Sequence, residues 1–201
     1  MLLETGKIAA SAAKGLDKIS KELKAENIRQ KKAFETAIKV EGYRLMRQLK
    51  KEIRQGSPGG RKFKPLSYLA RSWGGAGRLR ADKPLSRLAL AIRYVVKNNP
   101  FSMTVGFTGP KISKSWTRIA EKQQEGFTFD MPSARRLSFI RAAANMSKRS
   151  KARKYLFIRK EITRFTVPPR PIIEPFWDRE KRVSVRNIRS NYIKKLKGQR
   201  I

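Results

Sequence analysis

The sequence predicts an α+β protein with a long N-terminal helix, a small antiparallel sheet that includes a β-hairpin, a C-terminal helix and a basic extended arm. Three observations carry that expectation. Residues 1–55 contain no proline and are dominated by Ala, Leu, Lys and Glu, the composition of a helix. Residues 91–107 alternate apolar side chains with a period of two, the signature of strands. Helical and strand segments are segregated along the chain, which argues against repeated βαβ units.

The first segment reads as either one long amphipathic helix or a helix pair. Leu16, Ile19 and Leu23 form one helical stripe, and Phe34, Ile38, Leu45, Leu49 and Ile53 form another. Gly42 interrupts the second stripe without having to end it. Residues 1–60 hold 14 cations against 7 acids, so a solvated helical face is the plainer account and a nucleic-acid-binding helix the sharper one. Gln55-Gly56-Ser57-Pro58-Gly59-Gly60 stops the helix. Loop chemistry follows through Ser67, with a further glycine cluster at Gly74, Gly75 and Gly77. Neither glycine cluster has the spacing or the Lys-Ser/Thr pair of a phosphate-binding loop.

In the hairpin, Ile92, Tyr94 and Val96 alternate on the first strand and Met103, Val105 and Phe107 on the second. Asn98-Asn99-Pro100 makes the turn, and Tyr94 and Phe107 are placed to pair across strands. Ser113–Glu125 reads as a short helix with Trp116, Ile119 and Ala120 inward and Gly126 as its stop. Phe127-Thr128-Phe129 and Phe165-Thr166-Val167 read as short strands. Between them, residues 131–160 carry 10 cations and no acid, the composition of a basic arm that orders on assembly. Pro168-Pro169-Arg170-Pro171 fixes φ at three positions and makes a stiff connector or an ordinary turn before a helix. The last helix runs from about Pro171 to Lys197, with Ile173, Trp177, Val185, Ile188, Tyr192 and Leu196 on its apolar face. The expected organisation is a helical extension over 1–55, an α+β domain over 56–197 with 131–160 inserted as the arm, and a basic tail over 198–201.

Charge narrows the function. The chain has 201 residues, 49 Lys plus Arg, 15 Asp plus Glu, no His and no Cys, for a formal net charge of +34. Without His or Cys there is no disulfide framework, zinc finger or histidine-based catalytic triad. Two carboxylate pairs, Glu121/Glu125 and Glu174/Asp178, have a spacing that suits Mg²⁺. Flanking cations, and Arg182 four residues after Asp178, make structural ion pairs the expected reading. No catalytic, cofactor or metal site is expected, and no enzyme activity. Self-repulsion at this charge calls for a polyanion or for acidic neighbours. No apolar run reaches the ~18 residues of a membrane span, so no membrane partner is expected. The start, Met1-Leu2-Leu3-Glu4-Thr5, has no basic region followed by an apolar one, so the expected compartment is the cytosol.

Several elements are similar to those of one family. Gly60-Arg61-Lys62-Phe63-Lys64-Pro65-Leu66-Ser67 resembles the Gly-x-x-(aromatic)-x-Pro-Leu-Ser element of the phage virion-morphogenesis family, also called tail completion proteins. Arg118-Ile119-Ala120 followed by Gln124-Glu125-Gly126 resembles its Arg-Ile-Ala…His-Gln-Phe-Gly signature, without the usual His. Val167-Pro168-Pro169-Arg170-Pro171-Ile172 is similar to its Val-Pro-Ala-Arg-Pro-Phe element. Met131-Pro132-Ser133-Ala134-Arg135-Arg136-Leu137 and the hairpin ending in Val105-Gly106 fall where the family places a basic arm and a strand pair. The matches lie in order across residues 60–197. The family's Thr-Gly-x-Leu before the first strand is missing.

The resemblance implies a structural virion protein of a tailed bacteriophage. It would form a ring, most often of six copies, at the neck or head-proximal end of the tail. As a tail completion protein, tail terminator or head–tail connector it would join tail to head, in the virion and, during assembly, in the host cytoplasm. Its partners would be copies of itself and other neck and tail proteins on the portal/adaptor side or the tail tube, with possible non-specific contact to genomic DNA. Tyr94, Val105, Phe107, Trp116, Arg170, Phe176 and Trp177 are the candidates for subunit interfaces, with Trp116, Phe176 and Trp177 more readily read as core. Arg135, Arg136, Lys148, Arg149, Lys151, Arg153, Lys154, Lys194, Lys195 and Lys197 are the candidates for contact with a partner or with DNA phosphates. Acidic protein neighbours are the expected target, because a strongly cationic lumen would hold passing DNA. The competing expectation is an RNA-binding structural protein such as a ribosomal component.

Overall fold

The computed structural model describes residues 2–72, 85–98, 101–110, 112–158 and 161–201, with side chains at Glu22 and from Lys24 onward except those of Asn98 and Phe101. The glycine cluster at Gly74–Gly77 and the Asn99-Pro100 part of the hairpin turn lie outside the described residues, as do the side chains of Leu16, Ile19 and Leu23. The α+β class holds. Helix α1 spans Leu2–Gln55 as one continuous helix, with Gly42 inside it. Short helix α2 (Tyr68–Ser72) follows, then a 3-10 turn over Ser86–Ala91. Strands β1 (Arg93–Asn98) and β2 (Phe101–Gly106) form a two-stranded sheet. Helix α3 (Lys114–Glu125) leads into β3 (Phe127–Asp130). Helices α4 (Ser133–Ala144) and α5 (Arg153–Leu156) precede β4 (Arg164–Val167), and α6 (Ile173–Leu196) closes the chain.

The expected single sheet is two sheets among the described residues. β3 and β4 pair with each other, antiparallel, with Phe127 opposite Val167 and Phe129 opposite Phe165. The Thr128 and Thr166 hydroxyls meet across them at 3.2 Å. Each strand of a two-stranded sheet is an edge strand.

The chain divides into two compact units. The first comprises residues 1–44, 96–103 and 182–201, so the C-terminal half of α6 groups with the N-terminal helix rather than with the domain expected over 56–197. Within it, Ala33, Ala37 and Ile38 are buried, and Phe34 meets Tyr192 edge to face at 5.8 Å. Glu41 is also buried, and it accepts from Asn187 Nδ2 at 3.2 Å and from the Arg44 guanidinium at 2.7 Å. Tyr192 is half-buried by this contact.

The second unit comprises residues 45–95 and 104–181. Leu45, Leu49 and Ile53 are fully buried, as the second stripe predicts. Glu52, on the same stripe, accepts from the Gly59 amide at 2.8 Å, from Gln48 Nε2 at 2.6 Å and from Arg179. A buried carboxylate requires such partners.

Residues 131–158 differ from the expected extended arm. The Met131 amide donates to the Thr163 carbonyl at 2.7 Å, closing the root of the excursion. Beyond that root lies a helical insertion with its own small core of Met131, Phe139, Ala143, Leu156 and Ile158, against which Leu69, Phe129 and Phe165 pack. Ala, Arg and Lys are good helix formers, and a few apolar positions suffice to bury one face while the cations face water.

Two apolar faces are rotated from those expected. In α3, Ala120 is buried and Trp116 half-buried, but Ile119 is exposed. In α6 the buried positions are Ile172 just ahead of it, then Phe176, Glu180 and Ser184, each four residues on. Trp177 is 46% exposed and Val185 68% exposed, so Phe176 alone of the two neighbouring aromatics is core.

Candidate interaction surfaces

Three segments far apart in sequence converge on Arg170. Gly126 makes this possible: its φ of +77° suits glycine, and a Cβ there would come within 2.8 Å of the Pro169 nitrogen and 2.9 Å of the Val167 oxygen. The close approach lets the proline-rich connector lie along the end of α3. The Arg170 amide then donates to the Gln123 carbonyl at 2.8 Å. Its guanidinium donates to the Lys64 carbonyl at 2.9 Å, the Pro65 carbonyl at 3.1 Å and Gln123 Oε1 at 3.2 Å. The Ile173 amide donates to Gln124 Oε1 at 3.2 Å, fixing the first turn of α6. Arg170 is 3% exposed, which corrects its expected place at a subunit interface. A planar guanidinium with several donors is the side chain that satisfies acceptors from separate strands of backbone at once.

Around this junction Arg61, Lys62, Phe63, Lys64, Gln124 and Pro171 line an open cleft of about 400 Å³. Gly59, just before this loop, packs closely on the first turn of α6. Its φ is +63°, and a Cβ there would sit 2.1 Å from the Pro175 oxygen.

Among the interface candidates, Tyr94, Val105, Phe107 and Trp116 are half-buried, Phe176 is buried and Trp177 exposed. Among the basic candidates, Arg135, Lys148, Arg149, Lys151 and Lys154 are exposed on the insertion, with Arg136 and Arg153 half-buried. Lys194, Lys195 and Lys197 are exposed at the end of α6, in the other unit. The insertion brings together cations and aromatic rings. Tyr68 on α2 stacks on Tyr155 of α5 at 4.5 Å and 9° between planes. The Arg71 guanidinium lies 5.9 Å from the Tyr68 ring, Lys154 Nζ 4.9 Å from Tyr155, and the Arg153 guanidinium 5.6 Å from Phe157.

Charge is perturbed at few places. Burial, then the neighbouring Arg93 and Arg54, push the Lys50 ammonium below its ordinary range. The hydrogen bond that Arg179 donates to Glu52 raises its pKa, and the one that Arg164 donates to Asp130 raises that of Arg164. Asp178 pairs with Lys181 at 2.9 Å, not with Arg182; either position lies on its face of the helix. Among the described residues, no group of three or more acidic side chains is placed to hold a metal ion, and no helix is long and apolar enough to cross a membrane.

Glu41, Glu52, Gly59 and Tyr68 escaped the reading of the sequence as positioning residues. The signal for the two glutamates was present: each interrupts an apolar helical stripe, where a carboxylate is buried and partnered. Gly59 carries no such signal, because its constraint is backbone 116 residues away. No family model matches the chain, and no curated protein or solved structure is significantly similar to it.

Proposed function

We propose that the chain is a structural subunit of a tailed-phage virion that forms a ring at the neck or head-proximal end of the tail and joins tail to head. The Arg170 junction carries this reading. The Lys64-Pro65, Gln123-Gln124 and Pro169-Arg170-Pro171 segments, each part of an element resembling the tail completion family, form one hydrogen-bonded unit. Their convergence on one side chain is what supports the resemblance. The four edge strands offer lateral contacts to neighbouring copies, and the exposed Lys194, Lys195 and Lys197 at the end of α6 offer docking to acidic ones.

The test is light scattering and negative-stain imaging of the purified protein at high salt. Rings near six-fold symmetry are expected. A 23.1 kDa monomer at all concentrations, or one that retains RNA at high salt as a ribosomal component would, overturns the reading.

A further inference from the structure

We infer that the α2–α5 face of the insertion is a contact site for single-stranded nucleic acid, in which the Tyr68–Tyr155 stack receives a base and Arg71, Arg153 and Lys154 receive the flanking phosphates. The inference goes beyond the neck reading and does not depend on it.

Four observations carry it. The two tyrosines are nearly parallel, 9° between planes at 4.5 Å, with Tyr155 half-buried and Tyr68 54% exposed, so the aromatic stack reaches solvent at Tyr68. A base continues such a stack with any sequence, because every base has a π face. A third ring, Phe157, stands two residues beyond Tyr155 and is 48% exposed. Cations lie within 4.9–5.9 Å of all three rings, the spacing at which phosphates flanking a stacked base would find them.

Residues 131–160 contain no acid, so this segment cannot neutralise its own ten cations. The platform is also held rigidly. Leu69 of α2 and Leu156 of α5, each adjacent in sequence to one of the stacked tyrosines, pack into the same small core. A rigid aromatic ledge costs little ordering on binding.

An acidic protein would use the cations but has no use for the exposed rings, and duplex DNA would present phosphates with its bases already stacked. Exposed aromatic faces interleaved with cations favour the single strand.

Fluorescence anisotropy with a labelled single-stranded oligothymidylate tests the proposal. The same backbone with abasic sites, a duplex of equal length and poly-glutamate serve as comparison probes. The wild-type chain is expected to bind the oligothymidylate at least ~10-fold more tightly than the abasic strand, since each stacked base contributes on the order of a tenfold factor. Tyr68→Ala is expected to remove that preference and Tyr68→Phe to retain it. Lys154→Gln is expected to reduce the salt slope by about one, with base preference kept. The abasic comparison needs no variant, so it stands even if Tyr68→Ala disturbs the insertion. Equal affinity for the abasic strand, duplex binding as tight as the single strand, or poly-glutamate binding as tight as the oligonucleotide overturns the proposal, the last in favour of an acidic protein surface.

Discussion

Arg170 and Gln123 are joined twice: the backbone amide of Arg170 donates to the Gln123 carbonyl at 2.8 Å, and its guanidinium donates to Gln123 Oε1 at 3.2 Å. The same guanidinium satisfies the Lys64 and Pro65 carbonyls, so one side chain ties the loop after α1 to the end of α3 and the start of α6. Lysine's three donors share a single nitrogen, which cannot reproduce the separate positions of Nε, Nη1 and Nη2 at the three acceptors. Arg170→Lys is expected to lower stability by about 2–4 kcal/mol, since buried acceptors lose their donor. Urea unfolding followed by circular dichroism measures this, and a loss under ~1 kcal/mol would show that the junction does not depend on Arg170.

Gly59 and Gly60 are neighbours with similar positive φ, +63° and +82°, but different surroundings. A Cβ at Gly59 collides with Pro175 backbone, whereas one at Gly60 meets nothing within 4 Å. Gly60→Ala should cost about 1 kcal/mol from backbone strain alone. Gly59→Ala should cost at least ~2 kcal/mol more, because backbone must move to admit the methyl group. Equal melting temperatures for the two variants would mean that the Pro58–Gly60 turn does not sit against the start of α6.

Lys50 supplies a pH dependence with a definite sign. Its folded-state pKa lies below the ordinary 10.5, through burial first and then repulsion from Arg93 and Arg54. The folded state therefore binds this proton less well than the unfolded chain. The destabilisation is fully present below the folded pKa and fades as pH rises towards 10.5. Lys50→Met removes it, so the variant should melt higher near neutral pH, with the difference shrinking in alkaline buffer. Calorimetry across that range checks it; a difference that grows with pH would reverse the sign and refute the account.

Val105 lies on β2, an edge strand of the β1–β2 sheet, and is half-buried. Proline there removes a backbone donor and interrupts any strand added from a neighbouring copy. On the ring reading, Val105→Pro should abolish ring particles in negative stain while α1 and α6 keep the helical dichroism. Normal rings from this variant would place the lateral contact elsewhere, with the β3–β4 edges next in line.

Periodicity and composition are local quantities, and whatever depends on them could be read directly. The helical stripe Leu45-Leu49-Ile53, the alternation in β2, β3 and β4 and the Gly126 stop appear where the residues indicated. The charge, too, follows from counting. Packing decided the rest, because it depends on which distant groups come within reach. It turned a run of cations into a helical insertion by giving Phe139, Ala143 and Leu156 one another to bury against. It put Glu180 and Ser184 inside and Trp177 outside, against their polarity. It also took Arg170 from a presumed surface into the interior, where acceptors contributed from over one hundred residues earlier in the chain hold its charge.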